Sequence, residues 1–334
     1  VKVGVRIPPC RPVRETAGLA ATAERQGFDS VWFPDSQLLW RDVWSTLTGA
    51  ALATERVGVG VLVTNPITRH PSVTASAART VEELAPGRTR VVLGAGDSAI
   101  THAALPQART AQLADAVDVI RTLLRGDTVG DVPTYRLHDP GPRPVPVYIA
   151  ASGPRNLALA GRLADGVVVG GAAIERDLAL AQAGAKEAGR DPADLDVVVT
   201  KLTVVSDDPR AASVLKPLCL RIAQIGGAPM FAAAGFPIDA PPHDLSHGDL
   251  GHPEDWDAAV EVASQWVSDE AAQWYARTRC LFGTPQEIAA QLLDLARAGV
   301  TEVSLAHPGA FQQPVDLIST VGAEVLPLLR AASE

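Results

Sequence analysis

The sequence is short of aromatics, lysine, cysteine and long apolar runs, and each shortage excludes something. Aromatic residues make up 4% of its 334 residues, against a hydrophobic content of 47%. A core built from Ala, Val and Leu packs through many small side chains, as helix-wrapped sheets do. Lysine occurs only at Lys2, Lys186, Lys201 and Lys216, and the formal net charge is −9. That balance excludes a nucleic-acid backbone or an anionic membrane surface as the expected partner. The three cysteines, Cys10, Cys219 and Cys280, lack C-x-x-C spacing. They fit idle thiols in a reducing cytoplasm and no disulfide framework. No apolar run approaches the roughly 20 residues needed to span a bilayer. The opening VKVGVRIPP reads as a strand and not as a signal peptide.

What is present is alternation. Strand-like runs fall at 3–7, 30–33, 57–63, 90–93, 145–150, 166–169, 196–205 and 302–305. Amphipathic patterns lie between them, at 16–26, 43–53, 73–84, 111–124 and 156–164. Nearly continuous Val, Ile and Leu marks strands buried on both faces, hence a parallel sheet. Eight such strands separated by helices predict an α/β fold, the (β/α)₈ TIM barrel, with insertions after strands 4 and 7. The first insertion, about 126–144, reads as a hairpin-like excursion; the second, about 226–253, breaks the alternation before the last helices. Thr284 and Pro285 are placed to cap and open a helix at 285–298. The whole chain, 1–334, reads as one domain.

Within this pattern, TRVVLGAGDSA at 89–99 contains Gly94-Ala95-Gly96-Asp97-Ser98-Ala99, which fits the G-x-G-x-x-A form of a dinucleotide fingerprint. The stretch ends the fourth strand, however, and no sustained helix is expected before Pro106. The acid expected about 20 residues later at a strand end is also missing. A Rossmann site is therefore excluded. In a barrel the same residues lie at the C-terminal mouth, where active sites are built and glycines let a flat ligand approach the backbone. Asp97 either points into that mouth or caps a turn.

Three other strand ends carry related features. Strand two ends in FPDS, placing Asp35 at the mouth with Trp40 nearby, and strand three ends in VLVTNPITRHP, with Thr64 and Asn65 at the rim. Strand five ends in AASGP, where Ser152 and Gly153 lead into a helix at Pro154. Free N–H groups at such a helix start suit a phosphate. Trp32 and Trp44 read as packing residues, and His70 as the start of a helix at Pro71. His243, His247 and His252, interleaved with Asp244 and Asp249, fit no ligand spacing and read as a solvated loop, so no metal is expected.

Taken together, GFDSVWFPDS, VTNPITRHPSVTASAARTVEELAPGR, LGAGDSA, YIAASGPRNLALAGRLADGVVVGG and GTPQEIAAQLLDLARAGVTEV resemble the bacterial luciferase-like superfamily. More narrowly, they resemble its coenzyme F420-dependent oxidoreductases and the branch that contains methylenetetrahydromethanopterin reductase. The resemblance implies a (β/α)₈ barrel, a deazaflavin cofactor and a cytoplasmic homodimer acting on a small molecule. Matched position by position, it implies cofactor contacts from Asp35 and Thr64, while Val61, Leu62, Gly94, Gly96 and Asp97 are expected at the cofactor from their place at the mouth. Ser152, Gly153, Arg155 and Asn156 match the segment that holds the cofactor phosphate, and a non-proline cis peptide is expected near Val61-Leu62. Asp35, Trp40 and Asp97 are the implied catalytic residues, Trp40 by stacking beside the ring.

Departures narrow the substrate. Where related sugar-phosphate dehydrogenases carry a proton-transferring histidine after the strand-two aspartate, this chain has Ser36. Their glutamate is Asp97 here, a cofactor-contacting asparagine is Ile100, and their phosphate-binding lysine is Ala173. A phosphorylated sugar is therefore rejected as substrate. Hydride transfer that reduces a C=C or C=N bond is expected, with Asp97 or Asp35, raised in pKa by a low-dielectric pocket, handling the proton. An FMN-dependent monooxygenase of the same superfamily is the alternative, and a non-catalytic flavin-binding barrel is the second.

Overall fold

The β-branched runs become nine parallel strands: β1 (Lys2–Arg6), β2 (Ser30–Phe33), β3 (Gly58–Thr64), β4 (Thr89–Leu93), β5 (Val147–Ala150), β6 (Gly166–Val169), β7 (Asp196–Val205), β8 (Leu281–Gly283) and β9 (Glu302–Ala306). The computed structural model describes residues 1–171, 173–242 and 251–332. Eight strands close a ring in the order β1-β2-β3-β4-β5-β6-β7-β9 and back to β1, forming the (β/α)₈ barrel that the alternation implies. The unexpected strand, β8, pairs Leu281, Phe282 and Gly283 with Thr203, Val204 and Val205 of β7. Three residues are too few to display a period.

The helices are α1 (Val13–Gln26), α2 (Val43–Ala53), α3 (Pro71–Leu84), α4 (Ser98–Thr101), α5 (Thr110–Leu124), α6 (Pro154–Leu163), α7 (Ile174–Glu187), α8 (Lys216–Ile222), α9 (Ala228–Ala233), α10 (Trp256–Ala263), α11 (Asp269–Arg279), α12 (Pro285–Arg297), α13 (Val315–Thr320) and α14 (Leu326–Ala331). None of the described helices is long and apolar enough to cross a membrane. The chain divides into two compact units, Val1–Thr200 with Asp294–Ser304, and Lys201–Leu293 with Leu305 onward.

The first unit holds the closed barrel. Its helices α6 and α7 touch through backbone: a Cβ on Gly161 would sit 1.8 Å from the Ala181 carbonyl oxygen, and one on Gly184 2.1 Å from that of Ala158. Inside the barrel, Trp32, Leu62, Val92, Tyr148, Val168 and Val198 pack together. Below them, at the N-terminal ends of the strands, lies a buried polar cluster. Glu302 accepts from Trp32 Nε1 at 2.7 Å, from Arg90 at 2.5 Å and from the Ser30 hydroxyl. Arg90 also stands 4.5 Å over the Trp32 ring. Burial alone would lower the Arg90 pKa, but the Glu302 carboxylate holds it above its usual value. Tyr148 donates to Asp196 at 2.5 Å, and burial together with that bond raises the phenol.

The second unit packs helices around Leu215, Cys219, Phe231, Ala272 and Cys280. Phe231 meets Trp274 edge-on at 5.5 Å and stacks on Tyr275 at 5.9 Å. All three cysteines are free thiols, and burial pushes Cys280 up to about 12. Glu287 and Thr284 exchange hydrogen bonds at the start of α12, N–H to Oγ1 at 3.3 Å and N–H to Oε2 at 2.8 Å, completing a capping box.

Residues 126–144 form turns with no strand or helix, where a hairpin-like excursion was expected. The Val129 N–H donates to the Tyr135 carbonyl at 3.0 Å, but proline and glycine on either side prevent a ladder from extending. In the second insertion, α9 takes up part of the segment, while His243, Asp244, His247 and Asp249 lie outside the described residues. Among the described residues no three His, Cys, Asp or Glu side chains are grouped for a metal.

Candidate active site

At the C-terminal mouth of the barrel the strands leave a cavity of about 630 Å³. Glycines make the space. A Cβ added to Gly153 or Gly170 would meet nothing within 4 Å, and one on Gly94 would rest 3.4 Å from Val63. Leu62, Gly94, Gly96, Asp97, Ser152, Gly153 and Asn156, all expected at the site, line this cavity. Val61, Thr64, Asp35, Trp40 and Arg155 are not among the lining residues. Val61 is fully buried, one step along β3 from the lining residue Leu62.

The cis peptide is Leu62–Val63, one residue beyond the expected Val61-Leu62. It falls where the pairing of β3 with β4 shifts register between Val61 and Thr64. The expectation is carried over from the family's third strand, and the one-residue offset falls inside that register shift.

Gly96 carries φ of +98°, a turn that aims the next residue away from the strand. Asp97 then occupies the N-cap position of α4 but makes no side-chain capping bond. Its exposed carboxylate faces the cavity, so turn-capping is not its role. A helical turn does open inside the glycine motif, contrary to expectation, but it lasts only from Ser98 to Thr101. The stretch still closes the fourth strand of a barrel. Gln107 reaches back to donate to the Gly96 carbonyl at 3.0 Å and also lines the cavity.

Asp35 and Thr64 meet beside the mouth. Asp35 Oδ2 accepts from Thr64 Oγ1 and from Arg69, both at 2.7 Å, and its side chain is only 2% exposed. Arg69 also binds Asp42, which caps α2 by accepting from the Ser45 N–H at 2.8 Å. Burial raises Asp35 above the ordinary carboxylate value, outweighing the downward pull of Thr64 and Arg69. At Asp42 burial also pushes upward, but the Ser45 bonds and Arg69 hold that carboxyl below its usual range. The desolvation expected around both acids is thus found at Asp35, whereas Asp97 stands exposed. Trp40 is buried in the turn after β2, its N–H donating to the Ser36 carbonyl at 2.9 Å. The buried Ser36 hydroxyl has no hydrogen-bond partner among the described residues.

The start of α6 carries no side-chain cap at Gly153 and no acid in its first turn, leaving its N–H groups available to an anion. Asn156 is oriented by Thr110, whose hydroxyl donates to its Oδ1 at 2.8 Å. His70 caps α3 as expected, accepting from the Ser72 N–H at 3.3 Å. Sequence reasoning missed Arg6, Gln107 and Thr200 on the cavity wall and Arg69 beside Asp35. The signal that could have found Arg6 was a charge at the C-terminal end of an otherwise apolar strand, whereas Arg69 meets Asp35 only in the fold.

Comparison with known proteins fits this architecture. The profile of the family described as luciferase-like monooxygenase matches residues 2–302. The 5,10-methylenetetrahydromethanopterin reductase of Methanolobus tindarius is 31% identical over 327 residues, covering 91% of this chain and 94% of its own length. An F420-dependent hydroxymycolic acid dehydrogenase of Mycobacterium tuberculosis is 35% identical over 214 residues, 58% of this chain and 59% of its own. The solved coenzyme F420-dependent tetrahydromethanopterin reductase from Methanopyrus kandleri superposes with a TM-score of 0.76 at 24% identity, covering 98% of this chain and 99% of that one. By its profile match and its full-length relatives, this chain belongs to the luciferase-like family.

Proposed function

We propose that this chain is a coenzyme F420-dependent oxidoreductase that reduces a C=C or C=N bond of a small organic molecule. The observation that carries this reading is a mouth cavity with glycine-opened walls and an uncapped helix start on one side. The names of its relatives point to F420 as the group that fits. When bound, the reduced deazaflavin supplies a hydride. The chain's own residues do the rest. Gly94, Gly153 and Gly170 admit a flat ring system, and the first turn of α6 with Ser152 and Asn156 holds a phosphate.

Asp97, exposed on the cavity wall, relays the accompanying proton from solvent to the substrate. Asp35 is held by Thr64 and Arg69 and has one oxygen fully engaged, so it acts by positioning the rim. Ser36, in place of a proton-transferring histidine, favours reduction of an unsaturated bond over alcohol oxidation. A homodimer is part of the same proposal, checked by sedimentation. The decisive test is titration of the cofactor-free protein with F420 and with FMN. Tight F420 binding with weak FMN binding supports the proposal. The reverse preference moves the chain to the flavin monooxygenases, and oxygen uptake with reduced FMN would establish that. Binding of either without any turnover points to a carrier barrel.

A further inference from the structure

We propose that Arg6 makes this cavity a site for an organic acid, pairing with the substrate's carboxylate. The proposal rests on the oxidoreductase reading above and names its substrate class. Among the described residues lining the cavity, Arg6 is the only cation and Asp97 the only anion. Arg6 ends β1, and the residue two before it is Gly4, where a Cβ would collide with Ser30, Trp32 and Glu302. Gly4 therefore lets the closed polar cluster form. The next inward position, two residues on, carries the guanidinium into the mouth.

That guanidinium has neither a hydrogen bond nor an ion pair among the described residues. Its five donors are thus unspent in a half-buried wall. Burial lowers its pKa, while the Asp97 charge, beyond ion-pair contact, raises it. A desolvated cation without an acceptor is costly, and the guanidinium fork matches a carboxylate through two parallel bonds. The cofactor's phosphate is not the anion in question. In the eight-stranded ring β1 and β5 are four strands apart in either direction, so Arg6 stands across the barrel from the Ser152–Gly153 turn.

The pairing also suits the chemistry. A carboxylate neutralised by Arg6 withdraws electrons from a conjugated C=C bond, as in an α,β-unsaturated acid. Hydride addition at the β-carbon breaks the π bond, with two electrons drawn from the reduced deazaflavin. The α-carbon takes its proton from solvent, relayed through the Asp97 carboxylate.

The test is calorimetric binding of crotonate and cinnamate, each against its amide, to protein loaded with oxidised F420, where no turnover occurs, and to cofactor-free protein. The acids are expected to bind about tenfold or more tightly than the amides. Arg6→Gln should remove that preference while leaving F420 affinity within about twofold, and Arg6→Lys should keep part of it. Equal binding of acid and amide in both pairs overturns the proposal, as does a preference that survives in Arg6→Gln. A loss of F420 affinity in Arg6→Gln also overturns it, by assigning Arg6 to the cofactor. If Arg6→Gln does not fold, the wild-type pairs and Arg6→Lys still decide. Failure of the cofactor reading would appear separately, as wild-type protein that binds no F420.

Discussion

The two ends of the barrel are built from similar residue types and solve opposite problems. At the N-terminal end, Glu302 receives Ser30, Trp32 and Arg90, and Tyr148 is tied to Asp196. At the C-terminal end, neither Arg6 nor the Ser36 hydroxyl has a bonding partner among the described residues, and glycines hold space open. A closed network is satisfied by its own chain, and an open one is left for a ligand to complete. The paired cluster of Asp35, Thr64, Arg69 and Asp42 lies between these extremes. It fixes the rim of the open end with the kind of pairing found at the closed end.

The comparison breaks first at Glu302. Removing its carboxylate by Glu302→Ala takes the ion-pair partner from Arg90, whose side chain is 16% exposed, and leaves the guanidinium beside an indole with the neutral Tyr148 hydroxyl. Loss of one partner from a buried ion pair costs about 3–5 kcal/mol. Urea unfolding should show that loss, whereas Glu302→Gln, which can still accept hydrogen bonds, should lose less. If Glu302→Ala unfolds like the parent, the closed end is not structural. At the rim, Arg69→Ala leaves the buried Asp35 with Thr64 and Asp42 with Ser45. Arg69 is 19% exposed, so the expected loss is smaller, about 1–3 kcal/mol. Arg69→Lys should recover part of it and part of any lost F420 affinity.

The barrel was legible because eight buried strands announce themselves by composition and spacing. The glycine and serine positions of the mouth were legible for the same reason, since a strand's end is where its pattern stops. What escaped were contacts made across the ring. Nothing in VKVGVRIPP says that Arg6 will face Asp97, because the two are joined by the closure of the sheet and not by neighbouring sequence. Arg69 escaped likewise, as its partners Asp35 and Asp42 come from the preceding strand–helix connection. The backbone contact between α6 and α7 at Gly161 and Gly184 is equally non-local.

A pH experiment sharpens the contrast at Asp35. Its value in the folded protein lies above the ordinary 3.8, so the native state holds the proton more tightly than the unfolded chain does. The stability it contributes is therefore complete below pH 3.8 and is lost as the pH rises through its elevated value. Asp35→Asn has no such proton to lose. Across that interval the parent's stability should fall relative to Asp35→Asn and then level off, read from urea midpoints at each pH. A difference that stays flat would mean that Arg69 and Thr64 balance burial at this carboxyl, and one that reverses sign would mean that they outweigh it.

The smallest effect on stability belongs to Asp97, and its smallness is informative. Asp97 is exposed and makes no capping bond, so Asp97→Asn should unfold within about 0.5 kcal/mol of the parent. The same substitution removes the only anion among the described residues of the wall that carries Arg6. Carboxylate probes should then bind more tightly, because Asp97 no longer competes with them for the guanidinium field. Hydride transfer measured in a single turnover should slow at the same time, as the proton relay is gone. A residue that holds the mouth together would instead lose stability and leave the probe affinity unchanged. The two measurements made on one variant thus separate a group that builds the open end from one that works in it.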